Sequence, residues 1–204
     1  MHAPSLRRVF LGFPRPPQAD QGLKTAGHLL ARAGWGGRPT APAALHVTLL
    51  FLGELDSAAV DAIAQSAAEA AAGSQSVTLV LDRWVFLPHR NAPRVLGAAC
   101  GRVPSALTSL YRTVRHKTEP FLPGQAAPTT YLPHVTLMRR RPADPAGHLP
   151  RERPHIVWPV DRLVLWESHL RPEGPRYEEI AVWRLGPKKA ADSGRSDTSP
   201  STAG

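Results

Sequence analysis

The spacing of apolar and polar residues changes several times along this chain, and each change marks an element. Residues 6 to 13 read as a β-strand that stops at Pro14. Pro16 and Pro17 then lead into a helix ending near Ala33, because Leu23, Ala26, Leu29 and Leu30 fall on one helical face. Gly34, Gly36 and Gly37 end it. The apolar run from 45 to 52 predicts the next strand, and Asp56 or Ser57 can cap a second helix through about Ala72, closed by Gly73. Strands over 77–87 and 94–99 flank a Pro/Asn turn. Leu107, Leu110, Tyr111 and Val114 predict a third helix over 104–117. A Pro/Gly-rich loop from 120 to 128 precedes a strand at about 132–138, and the basic, Pro-rich stretch 139–154 reads as an exposed loop. Strands at about 156–167 and 177–185 complete the pattern.

The order strand, helix, strand, helix followed by strand, strand, helix, strand, strand, strand predicts an α+β fold. The expected architecture is two pseudo-symmetric lobes with antiparallel-rich sheets flanking a central cleft, helices on the outside. Residues 1–186 are expected to form one bilobal domain, and the Ser-, Gly- and Lys-rich stretch 187–204, which has no large apolar residue, a disordered tail. With 204 residues, 42% of them hydrophobic, the chain can fill such a core. No apolar run is long enough to span a membrane, and the start lacks a secretory pattern. The single Cys100 excludes an intramolecular disulfide and sits in an apolar run, so it reads as core. A cytoplasmic monomer is the expectation.

Two of these strands carry one tetrapeptide, His46-Val47-Thr48-Leu49 and His134-Val135-Thr136-Leu137. In an extended strand alternate side chains share a face, so each copy presents an imidazole beside a hydroxyl. Brought together, the copies would offer one histidine as base, one as acid, and two threonines as donors to a small anion. Burying these polar groups is costly unless something hydrogen-bonds them, and a phosphate would. The net charge of +9 agrees with an acidic partner such as RNA. His-x-Thr lacks paired metal-ligand spacing, no His, Cys or carboxylate cluster accompanies it, and no Walker-type loop is present, so neither metal nor other cofactor is expected.

With these motifs in hand, the chain resembles the two-histidine phosphoesterase superfamily, within it the RNA 2′,3′-cyclic phosphodiesterases historically named 2′-5′ RNA ligases. The similarity runs over about residues 5 to 186: Arg8-Val9-Phe10-Leu11-Gly12-Phe13-Pro14 at the start, the first motif continuing to Glu54, Pro133 to Arg139 around the second, and Leu165-Trp166-Glu167-Ser168 with Gly174 and Tyr177 near the end. The stretch Arg38 to Ala44 departs from the family's Trp-containing polar lead-in, which puts substrate contacts from it in question. The resemblance implies metal-independent hydrolysis of RNA 2′,3′-cyclic ends to 2′-phosphomonoesters, on RNA or small cyclic nucleotides. It implies His46 as acid and His134 as base, although the residues alone leave the two roles interchangeable. Thr48 and Thr136 are the expected phosphate donors.

The family also places a basic residue after its second motif, here Arg139. Strict alternation sets Arg139 on the face opposite His134 and Thr136, so either the strand bulges or ends at Met138, or Arg139 is a surface charge. Tyr131 and Phe13 could stack a terminal base or belong to the core, and the basic segment Arg139 to Arg153 could track an RNA backbone. Two other readings use the same residues: 2′-5′ RNA end-joining by the reverse reaction, and an RNA-binding module without catalysis.

Overall fold

The computed structural model describes residues 6–122, 131–172 and 174–187. The expected tail, apart from Pro187, and most of the 120–128 loop lie outside these residues. Nine strands and three helices follow one another as β1 (Arg7–Pro14), α1 (Asp20–Arg32), β2 (Arg38–Pro39), β3 (His46–Leu55), α2 (Ser57–Ala72), β4 (Val77–Leu87), β5 (Val95–Cys100), α3 (Ser105–Thr118), β6 (His134–Arg139), β7 (Ile156–Val160), β8 (Arg162–His169) and β9 (Arg176–Arg184).

Local chemistry accounts for the helices. Asp56 caps α2 by accepting the Ala59 N–H at 2.8 Å, and Val60, Ile63, Ala67, Ala70 and Ala71 bury its inner face. In α1 the stripe Leu23, Ala26 and Leu30 is buried, each leucine contributing about 1.5–3 kcal/mol of apolar burial. Helix α3 buries Leu107, Leu110, Tyr111 and Val114 as the spacing predicts. None of the helices among the described residues is long and apolar enough to cross a membrane.

The strands form one sheet in the order β7-β4-β5-β6-β3-β1-β8-β9, with β2 paired to β6. Its two four-stranded halves repeat one plan. In the first, β1 leads through α1 to the motif strand β3; in the second, β5 leads through α3 to the motif strand β6. These are the two expected lobes, and they join at the motif strands through a single bridge pair, Val47↔Val135. Past that bridge β3 and β6 part. The vacated edge of β6 is taken by Thr40, whose N–H donates to the Leu137 carbonyl at 2.9 Å, and by β2, which pairs Arg38↔Arg139 and Pro39↔Met138. The helices cross the seam: α1 lies against β6 and β7 of the other half, and α3 against β3.

The stretch 156–167, expected as one strand, is two. Strand β7 ends at Val160 and pairs with β4, whereas β8 begins at Arg162 and pairs with β1 and β9. These partners lie towards opposite ends of the sheet order, yet Asp161 alone separates the two strands. The sheet must therefore curl until its ends approach. Consistent with this, the Leu185 N–H after β9 donates to the Asp161 carbonyl at 2.8 Å, and Ser74 and Ser76 exchange backbone bonds with Gly186.

The helix-facing side of the sheet carries the main core, including Leu11, Phe13, Val47, Leu49, Val135 and Leu137. Cys100 belongs to it, as expected. Phe13 is fully buried there, so of its two readings, base stacking or core, the structure selects the core. The opposite side carries a smaller aromatic cluster of Phe10, Val164 and Trp166 with Tyr177 packed on it.

Candidate active site

Each motif strand bulges at the same place. Along β5 and β6, Gly97 pairs with Thr136 and Leu96 with Met138, so Leu137 is an extra residue. Along β1 and β3, Gly12 pairs with Thr48 and Leu11 with Leu50, so Leu49 is extra. A bulge puts two consecutive side chains on one side of the sheet: Leu49 with Leu50, and Leu137 with Met138, all buried in the core. The residue after each pair returns to the motif face. That residue is Phe51 in β3, 66% exposed, and Arg139 in β6. The parity objection to Arg139 is thus removed by the bulge, and Arg139 lines a cavity together with His46 and Thr136.

Both bulges lie opposite a glycine because the strands approach closely there. A Cβ on Gly12 would come within 2.7 Å of the Val47 carbonyl oxygen, and one on Gly97 within 2.2 Å of the Val135 carbonyl oxygen. Only glycine admits these contacts without a backbone shift.

The imidazoles are held alike. His46 Nδ1 lies 2.8 Å from the Ala44 carbonyl, and His134 Nδ1 lies 2.9 Å from the Leu132 carbonyl, two residues back in each case. A carbonyl only accepts, so Nδ1 carries the proton in both rings and Nε2 is left for chemistry. In His46, Nε2 accepts from the Thr48 hydroxyl at 3.1 Å. The antiparallel bridge Val47↔Val135 sets His46 towards Thr136 and Thr48 towards His134.

Their surroundings differ. His46 is enclosed by aromatic rings: Phe10 at 4.9 Å between centroids, Tyr177 edge-on at 5.1 Å and Trp166 at 5.8 Å. Burial pulls the His46 pKa down to about 4; the Ala44 carbonyl opposes this, while the charges of Arg139 and His134 add to it. At neutral pH in the free protein His46 is therefore an uncharged acceptor. Burial also pushes the Tyr177 hydroxyl up, against the pull of Arg139 and Arg8.

Of the other residues read from the sequence, Tyr131 stacks on Tyr111 at 4.5 Å and donates its hydroxyl to the Thr48 carbonyl at 3.1 Å. It thereby ties α3 and the lead-in to β6 onto the first motif strand. In the basic segment beyond Arg139, the first two arginines are engaged within the protein. The Arg140 guanidinium donates to the carbonyls of Gly36, Pro93, Asp144 and Pro145 and lies 5.0 Å over the Trp35 ring, while Arg141 pairs with Asp144 at 3.6 Å. Arg140 is thus a structural residue, which corrects its reading as an RNA-tracking charge.

The cavity beside His46, of about 430 Å³, is lined by residues not selected from the sequence as site residues: Arg38, Pro39, Thr40 and Ala41 from the lead-in to the first motif, Arg171 just after β8, and Arg176 and Tyr177 at the start of β9. The Pro/Ala-rich lead-in therefore does contribute to the site wall. The signal for the bulges was present as two successive apolar residues after each His-Val-Thr; Arg171 and Arg176 carry no local signal.

Known proteins resemble this chain in sequence and in fold. The chain is 30% identical over 157 residues to the RNA 2′,3′-cyclic phosphodiesterase of Thermus thermophilus, covering 74% of this chain and 76% of the relative. It is 28% identical over 148 residues to the protein of the same name from Bacillus subtilis, covering 71% and 78%. Among solved structures, TT0787 of Thermus thermophilus superposes with a TM-score of 0.75 at 28% identity, over 89% of this chain and 99% of that one. E. coli LigT complexed with 3′-AMP superposes with a TM-score of 0.72 at 25% identity, over 88% and 98%. The profile of the 2′-5′ RNA ligase superfamily matches residues 16–172, and the chain belongs to that superfamily.

Proposed function

We propose that this protein hydrolyses RNA 2′,3′-cyclic phosphodiester ends to 2′-phosphomonoesters without a metal, His46 and His134 exchanging protons with the reacting groups. The observation that carries the reading is the duplicated histidine: two imidazoles, each oriented by a carbonyl two residues back, each with Nε2 left for chemistry, on the two sides of the Val47↔Val135 bridge. Support comes from relatives named RNA 2′,3′-cyclic phosphodiesterase and from the 3′-AMP held by E. coli LigT.

Ring opening needs one group to take a proton from water and one to give a proton to the departing ribose oxygen. The cyclic phosphate sits between the imidazoles. Thr136 and Thr48 donate to its non-bridging oxygens, and Arg139 neutralises the charge that builds there as water adds. Leaving the phosphate on O2′ requires the acid to protonate O3′. His46 serves as that acid, and because the free ring is uncharged it takes up its proton together with the anionic substrate, which offsets the Arg139 charge. His134 then activates the water.

The test is RNA bearing a 2′,3′-cyclic phosphate, incubated with the protein in EDTA, with the product isomer identified. Release of the 2′-phosphomonoester is expected, and an intact cyclic end would overturn the reading. Calorimetry of a nucleoside 2′-phosphate in buffers of different ionisation enthalpy assigns the roles. Proton uptake at neutral pH is expected, and its absence would make His46 the base.

A further inference from the structure

The cavity beside His46 holds more positive charge than one cyclic phosphate needs. Four arginines line it: Arg38, Arg139, Arg171 and Arg176. Among the described residues no carboxylate lines the cavity, and none of the four takes part in an ion pair. Arg38 and Arg139 even sit in register across β2 and β6, a like-charge pairing that costs stability in the absence of a counter-charge. The contrast with Arg140, whose guanidinium is satisfied by four backbone carbonyls, shows how this fold treats an arginine kept for structure.

The three arginines beyond Arg139 are arranged together. Arg38 Nη1 donates to the Pro172 carbonyl at 3.2 Å, and its guanidinium lies against Gly174, where a Cβ would come within 3.2 Å of Nη2 and where φ is +124°. Arg38 thus holds Pro172 and Gly174 beside β2, and Arg171, next to Pro172, and Arg176, at the start of β9, line the same cavity. Thr40 Oγ1, buried without a hydrogen-bond partner, belongs to that cavity as well. A volume of about 430 Å³ falls in the range of small-molecule sites and leaves room beyond the reacting group. Guanidinium forks match phosphate oxygens two at a time.

We infer that Arg38, Arg171 and Arg176 form a second phosphate subsite, which holds the phosphate on O5′ of the nucleotide whose cyclic phosphate is opened. The inference rests on the cyclic phosphodiesterase reading and narrows its substrate class. A nucleoside 2′,3′-cyclic phosphate with a free 5′ hydroxyl lacks that group. A 5′-phosphorylated nucleotide or the end of an RNA chain has it, as a monoester or as an internucleotide diester.

The experiment compares wild-type protein with Arg171→Gln/Arg176→Gln, both side chains being exposed. Three substrates are used: a cyclic nucleoside with a free 5′ hydroxyl, the same nucleoside with a 5′-phosphate, and a dinucleotide ending in the cyclic phosphate. Wild-type kcat/KM is expected to be about tenfold or more higher with a phosphate on O5′, and the double variant should bring that ratio close to one. A gain for the monoester, the diester or both identifies the source of the phosphate and supports the subsite. A wild-type ratio near one, or a ratio the variant leaves intact, overturns it. Calorimetry with a nucleoside 2′-phosphate and the matching 2′,5′-bisphosphate separates the two readings. If the bisphosphate binds about tenfold tighter and loses that advantage in the variant, the subsite stands even where no turnover is seen, and only the hydrolase reading falls. Equal affinities overturn the subsite whatever the turnover.

Discussion

The two motif strands share a backbone and differ in what surrounds it. In β3 and β6 alike a histidine is fixed through Nδ1 by a carbonyl two residues back, a threonine follows, a leucine bulges, and the third residue after threonine returns to the motif face. That third residue is Phe51 on one side and Arg139 on the other. His46 is enclosed by Phe10, Trp166 and Tyr177, and its pKa falls to about 4. Duplication thus supplies two equivalent points of proton transfer, and the neighbours make them unequal. An acid and a base must differ at one pH, so the inequality is what the chemistry requires.

The severest test of the equivalence is to delete each ring. His46→Ala and His134→Ala should each lower kcat by about 10²- to 10⁴-fold, and the double variant should lose far less than the product of the two. Full activity in either single variant would end the comparison. Next comes the charge. Arg139→Ala should cost on the order of 10²-fold in kcat, as for removal of a donor to a developing oxyanion. It should also raise the His46 pKa, because the Arg139 charge holds it down. Unchanged turnover would return Arg139 to the surface.

The inequality itself is read from pH. The acid limb of kcat/KM should lie near pH 4, where His46 titrates in the free protein. Tyr177→Ala admits water to the His46 edge and should move that limb upward, towards the usual histidine value of 6.5. A limb that stays put would show that the ring does not keep His46 dry. The smallest effect is on stability. Because the folded pKa lies below the unfolded one, the unfolded chain binds more protons between about pH 6.5 and 4. The His46 contribution therefore disfavours the fold increasingly as pH drops through that window and levels off below it. Urea midpoints of wild type and His46→Gln should diverge in the same interval; parallel curves would contradict the depressed pKa.

What was legible in the sequence followed from period and punctuation. Alternation placed His46 with Thr48 and His134 with Thr136, helical spacing placed Leu107 through Val114 on one side of α3, and Asp56 announced α2. Each of these depends on a few neighbouring residues. The misreadings depend on distant ones. The apolar run continues past Asp161 from Ile156–Val160 into residues 163–166, so it does not tell that the chain turns there from β4 to β1. Arg139, Arg140 and Arg141 look alike as a run, and what separates the structural one from the one at the site includes the Trp35 ring and the carbonyls of Gly36 and Pro93, all remote in the chain. Arg171 and Arg176 gain their interest from a cavity wall supplied more than a hundred residues earlier.

The glycines facing the bulges extend the motif into a neighbouring strand. Leu11-Gly12 and Leu96-Gly97 stand opposite Thr48 and Thr136 in matching register, and each glycine leaves room for the carbonyl of the motif valine. Half of what shapes the site is therefore written in a dipeptide with no reactive atom. A graft that transplanted only the histidine strands into another scaffold would carry the proton donors and acceptors but not the bend that aims them. The transferable unit is the two-strand ribbon, with its silent partner included.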